Sequence, residues 1–154
     1  IDDVTKKEAT RSTRITCVVK AIVVAVNAVG EKTIGDTITT NVTGSIQIAV
    51  ANVYGIRNTG DSNTITVSGS IETTGEQAYG IYNYGNDNVT TVSDTGSIKT
   101  TGVNAHGIYN IGDNYETTVS GSINMAGEDV YGIRNTCDKN ATTVSGCIET
   151  TGSR

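Results

Sequence analysis

The sequence predicts an all-β protein, a single-chain parallel β-solenoid (β-helix) with coils of about 25 residues and roughly three short strands in each coil. Two observations support this prediction. The composition is rich in Thr, Ser, Asn, Val and Ile, includes 18 Gly, and contains no Pro, Phe, Trp or Leu. Such a composition favours strands and tight turns. The second observation is an internal repeat whose register persists along most of the chain.

The repeat becomes clear when the chain is aligned on the tripeptide Gly-Ser-Ile. The complete coils span 44–68, 69–95, 96–120 and 121–145, and a partial coil follows at 146–154. Their lengths are 25, 27, 25 and 25 residues, and the extra pair is Asp94-Thr95. A degenerate coil at 19–43 aligns without gaps on 96–120, which leaves 1–18 as an N-terminal arm or cap. The sequence therefore predicts one solenoid domain over 19–154.

Each coil contains about three strand-like segments separated by turns of Gly, Asn and Asp. Because stacked coils place equivalent residues above one another at about 4.8 Å, each recurring residue forms a column. The predicted inward columns are Val67, Val92, Val119 and Val144; Ile46, Ile71, Ile98, Ile123 and Ile148; and Ile56, Ile81, Ile108 and Ile133. We also expect a hydrogen-bonded corner column of Asn58, Asn83, Asn110 and Asn135, and a bend at Gly55, Gly80, Gly107 and Gly132.

Charge is unevenly distributed along the chain. The formal net charge is −5, yet residues 1–20 hold five bases and three acids, whereas the remainder holds 13 acids and 6 bases. An acidic body disfavours a phosphate-rich partner, so we predict no nucleic acid ligand.

The apolar stretch 18–29 is interrupted by Lys20 and is shorter than the ~20 residues of a spanning helix. No transmembrane segment is therefore predicted.

Two recurring patterns invite a metal or a ligand, and both have simpler explanations. An aromatic column with one His could be a sugar-stacking platform, but stacking of rings alone explains it, and a lone His is a poor metal site. Acidic residues in the turns suggest calcium, but the nine-residue calcium repeat is absent and Asx-turn chemistry accounts for them. The residues are Tyr54, Tyr79, His106 and Tyr131 for the first pattern, and Asp61, Asp87, Asp113 and Asp138 for the second. We predict no metal and no cofactor.

Catalysis is not expected either. Enzymatic β-helices gather acids or bases on one face, and one outward column here holds Glu72, Lys99, Asn124 and Glu149. A Glu–Lys pair on neighbouring strands is ordinary sheet electrostatics, and no nucleophile with an adjacent base is evident. The sequence predicts no catalytic residues, and a polysaccharide-cleaving enzyme is the third of three functional hypotheses.

The most regular outward feature is an array of hydroxyl groups. Alternate residues of a strand share one side, so these hydroxyls should project from one flat face, interrupted at Asp94-Thr95. The array resembles the Thr ranks of ice-binding solenoids, but β-propensity and a soluble surface are the preferred explanation, and ice binding is a minor alternative. The candidate binding face for ice or a glycan comprises Thr66, Ser68, Thr91, Ser93, Thr118, Ser120, Thr143 and Ser145.

The repeated phrases "TTVSGSI" and "AYGIYN" resemble the degenerate repeats in the passenger regions of bacterial autotransporter-type surface proteins. The resemblance covers residues 19 to 154. It implies a parallel β-helix exported to the cell exterior, with a stalk, adhesive or surface-layer role.

These observations together predict an extracellular structural protein, a cell-surface stalk or adhesin or a filament-forming subunit. The expected partner is a second copy stacked head to tail, or the rest of a longer solenoid, with glycans as a further ligand class.

The three cysteines, Cys17, Cys137 and Cys147, lack metal-type spacing. Cys17 and Cys147 lie near opposite ends, so a disulfide between them could form only across a head-to-tail junction in an oxidising exterior.

Overall fold

The computed structural model describes residues 15–24 by their backbone and residues 31–152 in full. Most of the predicted N-terminal arm, the apolar side chains of 21–26 and the last two residues lie outside this part of the chain. The described residues form strands and turns, and they include no helix of the length and apolarity needed to cross a membrane. The predicted all-β solenoid with coils of about 25 residues is confirmed.

Fifteen strands occur in the described residues, most of them four residues long. They are β1 (Ile15–Val24), β2 (Glu31–Ile34), β3 (Ile38–Ile48), β4 (Ile56–Thr59), β5 (Thr64–Val67), β6 (Ser70–Thr73), β7 (Ile81–Tyr84), β8 (Val89–Val92), β9 (Ser97–Thr100), β10 (Ile108–Ile111), β11 (Glu116–Val119), β12 (Ser122–Met125), β13 (Ile133–Asn135), β14 (Ala141–Val144) and β15 (Cys147–Thr150).

The strands stack in three columns, and every pairing is parallel. One column runs β2-β4-β7-β10-β13. The other two begin with the long strands β1 and β3, which pair along both of their halves, and they continue as β5-β8-β11-β14 from the first half of β3 and as β6-β9-β12-β15 from its second half. A full coil thus contributes one strand to each column, as the sequence predicts.

The core consists of the predicted valine and isoleucine columns. Val92, Ile98 and Ile108 are 0% exposed, and their equivalents in the preceding coil, Val67, Ile71 and Ile81, are at most 1% exposed. In the coil that follows, Val119 and Ile123 are also fully buried, whereas Ile133 is only partly buried. Burying a Val or Ile side chain contributes roughly 1.5–3 kcal/mol, so these columns supply most of the stabilisation. In the last coil the same columns open to solvent, where Val144 is 44% and Ile148 is 36% exposed.

Part of the interior is polar, which the sequence pattern did not reveal. Thr73 and Thr100 point inward, and their hydroxyls donate to the backbone carbonyls of Ala78 and Ala105. Tyr115 is also buried, with its hydroxyl donating to the Ile111 carbonyl at 3.3 Å. These side chains can be buried because each has a hydrogen-bond partner within the coil.

The predicted asparagine column is present in the later coils. Asn83 Nδ2 donates to Asn110 Oδ1 at 2.8 Å, and Asn110 Nδ2 donates to Asn135 Oδ1 at 2.8 Å and to the Thr117 hydroxyl at 3.1 Å. Asn58 occupies the same column and is 1% exposed, but its amide atoms have no hydrogen-bond partner in the described part of the chain. The hydrogen-bonded column therefore begins at Asn83, whose own Oδ1 also lacks a partner in the described part of the chain.

The Asn58 side chain lacks hydrogen bonds within the described residues partly because its coil has no threonine to accept one from its amide. The Thr117 position, seven residues after the column Asn, is a Thr in the later coils but Ile65 in the coil of Asn58. An Ile side chain offers no acceptor to an amide.

The recurring Gly55 is explained by close packing between coils. A β-carbon at Gly55 would lie 2.3 Å from Ile71 Cγ2 and 2.5 Å from the carbonyl oxygen of Gly80. At the turn glycines the reason differs, since Gly85 has a φ of 135°, a conformation that other residues rarely adopt. Glycine therefore recurs at two places in the coil for two separate reasons.

Two irregularities are absorbed without loss of stacking. The inserted Asp94-Thr95 lies at the bend between β8 and β9, where the Thr95 hydroxyl donates to the Ser68 carbonyl at 3.0 Å. In the first coil the backbone register shifts between Val19 and Ala21, so that Ile22 lies opposite Ile46. The gap-free alignment, which equates Ala21 with that isoleucine column, is wrong by one residue at this point.

Candidate functional site

One side of the solenoid concentrates its aromatic side chains. Six of the seven tyrosines project from β7 and β10 or from the turns that precede β4, β7 and β13, and only Tyr115 is buried inside. On the strands, outward positions alternate with the inward Ile and Asn columns, so the strand residues that follow those columns share this side. The aromatic residues in the preceding turns lie against them, as Tyr54 does against Tyr82 and His106 against Tyr109. We call it the tyrosine face, formed by Tyr54, Tyr79, Tyr82, Tyr84, Tyr109 and Tyr131 with His106, Arg57 and Arg134.

The predicted aromatic column forms a stack along the solenoid axis. The rings of Tyr54 and Tyr79 lie 5.0 Å apart and are inclined by 3°, and those of Tyr79 and His106 lie 5.1 Å apart and are inclined by 4°. Tyr131 departs from this order, because its ring is inclined by 66° to His106 and it is 55% exposed. The stacking interpretation of the column is thus supported from Tyr54 to His106.

A second outward column, absent from the sequence prediction, lies beside the first. Its members Arg57, Tyr82, Tyr109 and Arg134 are in register on β4, β7, β10 and β13. The Tyr82 ring lies 4.9 Å from Tyr54, and the Arg134 guanidinium lies 5.0 Å from the centre of the Tyr109 ring. The signal was available in the sequence, because each of these residues directly follows an inward isoleucine.

His106 is the only histidine and is 2% exposed. The Tyr131 backbone N–H faces its Nδ1 at 3.2 Å, and Arg134 Nη1 faces its Nε2 at 3.2 Å. Each ring nitrogen thus faces an N–H group of another residue. Protonation of the ring would add a second ring N–H that points at such a donor and has no acceptor to bond to. Burial, and secondarily the charge of Arg134, lower the pKa of His106 to about 4. The ring is neutral at pH 7.

The phenol hydroxyls of the tyrosine face have no hydrogen-bond partner in the described part of the chain, unlike that of buried Tyr115. Burial raises the pKa of Tyr79 and of Tyr82 above the ordinary value of 10.0, and neighbouring tyrosines add to the effect. These groups remain protonated over the physiological pH range. Tyr79 and Tyr82 therefore present neutral hydroxyl donors.

The candidate hydroxyl face divides into two parts in the structure. The threonines lie in register on β5, β8, β11 and β14, directed outward between the inward columns. The serines follow the ends of these strands, at the bend that leads to the next column of strands. These residues are Thr66, Thr91, Thr118 and Thr143 in the first group, and Ser68, Ser93, Ser120 and Ser145 in the second.

The serine hydroxyls at this bend contact protein atoms. Ser68 and Ser93 donate to the carbonyls of Val42 and Val67, at 3.3 and 3.2 Å, and the Ser145 hydroxyl lies 3.4 Å from that of Ser120. Hydroxyls engaged in this way are less available to a ligand than those of the threonines. Nothing in the geometry favours this array over the tyrosine face as a binding surface.

The turn acids form an axial column, but with one change from the prediction. Asp61 Oδ1 accepts the Asn86 backbone N–H at 2.7 Å, and Asn86 Oδ1 accepts that of Asp113 at 3.0 Å. Asn86, rather than Asp87, thus occupies the column. These carboxylates and amides satisfy backbone donors of the next coil, which extends the predicted Asx chemistry from within the turn to between coils.

The remaining candidate groups show ordinary surface geometry. Lys99 Nζ lies 3.3 Å from Glu72 Oε1, and both side chains are exposed to solvent by more than a third. In the part of the chain that the structure describes, no group of three or more His, Cys, Asp or Glu could hold a metal ion.

The two cysteines of the proposed disulfide occupy different strand positions. Cys147 is exposed on β15 and pairs with Ser122, in the column that includes Ser45 and, through it, Ala21. The backbone of Cys17 lies opposite Thr40, which belongs to another column. A stack continued in register would therefore bring Cys147 to the position of Ala21, not to that of Cys17.

Comparison of the chain with known protein families, with curated proteins and with solved structures finds no significant match, so its functional assignment rests on the fold and on the surface features described above.

Proposed function

We propose that this chain is a structural repeat segment of an extracellular protein, a rigid element of a bacterial cell-surface stalk or adhesin. The observation that carries the proposal is the continuity of the stack, in which three columns of parallel strands join successive coils. Because coils contact only their neighbours, such a protein grows in one dimension. The likeness of its repeats to autotransporter-type passenger sequences supports a position outside the cell.

The apolar columns are exposed in the last described coil. Val119 and Ile123 are fully buried, whereas Val144 and Ile148, the equivalent residues one coil later, are substantially exposed because no coil covers them. We propose that a further coil covers this surface. It comes either from a longer parent chain or from a second copy stacked head to tail, an arrangement that does not close and generates a filament.

Sedimentation velocity over a range of protein concentrations, with electron microscopy of the same samples, tests self-stacking. We expect end-to-end assemblies whose formation is abolished by Val144→Asp, which places a charge on the exposed end of the core. Thr143→Asp is the matched control, since Thr143 neighbours Val144 but faces outward. Monomers at every concentration, or assemblies unaffected by Val144→Asp, would contradict the filament and leave only the longer parent solenoid.

A further inference from the structure

The tyrosine face differs in charge from the rest of the molecule. The outward residues of β2, β4, β7, β10 and β13 include the cations Lys32, Arg57 and Arg134 and no acid, and the one acid in these strands, Glu31, is 1% exposed. The whole chain, by contrast, has a net charge of −5. A locally cationic surface on an acidic protein favours a ligand that carries negative charge.

The two arginines lie at either end of an aromatic strip. Arg57 and Arg134 belong to one column and are separated by Tyr82 and Tyr109. Three coil steps of about 4.8 Å separate their backbones by about 14 Å. A ligand that spans this column therefore needs widely separated anionic groups, with polar or ring-shaped groups between them.

Both guanidinium groups can accept such a ligand. Arg57 is exposed and has no carboxylate partner in the described part of the chain. Arg134 is exposed too, and its guanidinium is held between the rings of Tyr109 and Tyr131, at 5.0 and 5.6 Å from their centres. Its Nη1 faces His106 Nε2 at 3.2 Å, and the remaining N–H groups of a guanidinium fixed on aromatic rings can donate to a carboxylate or a sulfate.

The tyrosines supply the remaining contacts. Tyr84 is 54% exposed and has no ring neighbour within the described residues, so its face is open for stacking. The stacked Tyr54 and Tyr79 cover each other's faces, but their hydroxyls have no hydrogen-bond partner among the described residues. Open aromatic faces and free hydroxyl donors are suited to sugar rings, which present apolar C–H surfaces and many oxygen acceptors.

From this geometry we propose that the tyrosine face binds an acidic polysaccharide lying along the solenoid axis, with its anionic groups on Arg57 and Arg134 and its sugar rings against the exposed tyrosines of the face, Tyr84 among them. A nucleic acid fits less well. It carries a charge at every phosphate, and the column of turn acids that includes Asp61 and Asp113 borders the same strands. The proposal is independent of whether the chain forms a stalk or a filament.

Affinity electrophoresis and titration calorimetry at low and at physiological salt test this proposal. The probes are hyaluronate, which carries a carboxylate on every second sugar, κ-carrageenan, which carries a sulfate on every second sugar, neutral dextran, and single-stranded poly(dT). We expect binding to hyaluronate or κ-carrageenan, weakened by salt, and weaker or no binding to dextran and poly(dT). The stronger of the two anionic probes identifies carboxylate or sulfate as the recognised group.

Variants locate the binding surface. Arg57→Gln and Arg134→Gln should each weaken binding by about tenfold, because each removes charge-assisted hydrogen bonds, and Tyr84→Ala should weaken it several-fold. Lys99→Gln is the matched control, since it removes an exposed cation outside this face. Circular dichroism melts verify that the variants fold. If Arg134→Gln lowers the melting temperature, the affinity of Arg57→Gln alone tests the proposal.

Four results would overturn the proposal: no binding to either anionic polysaccharide, equal affinity for dextran, tighter binding to poly(dT), or a loss of affinity in Lys99→Gln as large as that in Arg57→Gln.

Discussion

The middle and the last described coils have almost the same sequence but different environments. Ile98 in β9 is 0% exposed and lies between Ile71 and Ile123, whereas Ile148 in β15 has only Ile123 beside it and is 36% exposed. The two residues follow the same repeat and point in the same direction. Burial in a solenoid therefore depends on the number of neighbouring coils as much as on the residue type.

The largest expected effect comes from breaking the core at the middle of the stack. Ile98→Asp places a charge among buried aliphatic side chains, and we expect it to cost more than about 4 kcal/mol and to unfold the domain. Ile148→Asp should cost about 1–2 kcal/mol, because water already reaches that position. Thermal and urea unfolding followed by circular dichroism measures both, and equal losses would contradict the role given to neighbouring coils.

A smaller difference in stability is expected between two positions of the asparagine column, Asn110 and Asn58. Asn110 accepts one side-chain hydrogen bond and donates two, so Asn110→Ala should cost about 2–4 kcal/mol. Asn58 makes none in the described part of the chain, so Asn58→Ala should cost no more than about 1 kcal/mol. Urea unfolding of the two variants checks the difference, and a larger loss for Asn58→Ala would disprove the hydrogen-bonding scheme.

His106 makes the free energy of unfolding of the protein depend on pH. Its pKa is about 4 in the folded protein and 6.5 ordinarily, so between these values the unfolded chain binds more protons. The stabilisation is complete above about pH 6.5 and is lost as the pH falls towards 4. We expect a loss of about 1–2 kcal/mol from pH 7 to pH 5.

His106→Tyr serves as the control for this pH dependence, since tyrosine occupies the neighbouring positions of the column. Urea unfolding of both proteins at pH 7 and pH 5 should show a smaller change in the variant. A pH dependence of the same size in His106→Tyr would assign the effect to other groups.

The smallest effect is expected at the exposed ion pair of β6 and β9. Lys99→Asp removes an exposed ion pair with Glu72, and we expect a loss below about 1 kcal/mol. It is also the outward neighbour of Ile98, so the pair of variants tests the inward and outward assignment directly. A loss close to that of Ile98→Asp would show that the assignment is wrong.

The fold could be predicted from the sequence because the repeat makes every inward position visible several times. The valine, isoleucine and asparagine columns all follow from it. Features unique to one coil could not be predicted in this way, such as buried Tyr115 or the register shift between Val19 and Ala21. A position that varies from coil to coil leaves no column to recognise.

The tyrosine face also contains residues that the repeat could not reveal. The stacked column of Tyr54 and Tyr79 was predictable because its residues recur, but the neighbouring column alternates between Arg and Tyr. Its members share no chemistry in sequence, and their common feature, a position directly after an inward isoleucine, is geometric. Only the structure shows that Arg134 lies on the ring of Tyr109.

The dependence of burial on neighbouring coils is tested most directly by adding a coil. A copy of residues 103–127 fused after Gly152 would cover Val144 and Ile148 and would place Ile148 in the situation of Ile98. We expect Ile148→Asp to become as destabilising in the extended protein as Ile98→Asp is in the original, measured by urea unfolding of both pairs. If Ile148→Asp remained nearly harmless in the extended protein, the central claim that each coil is stabilised by its neighbours would be contradicted.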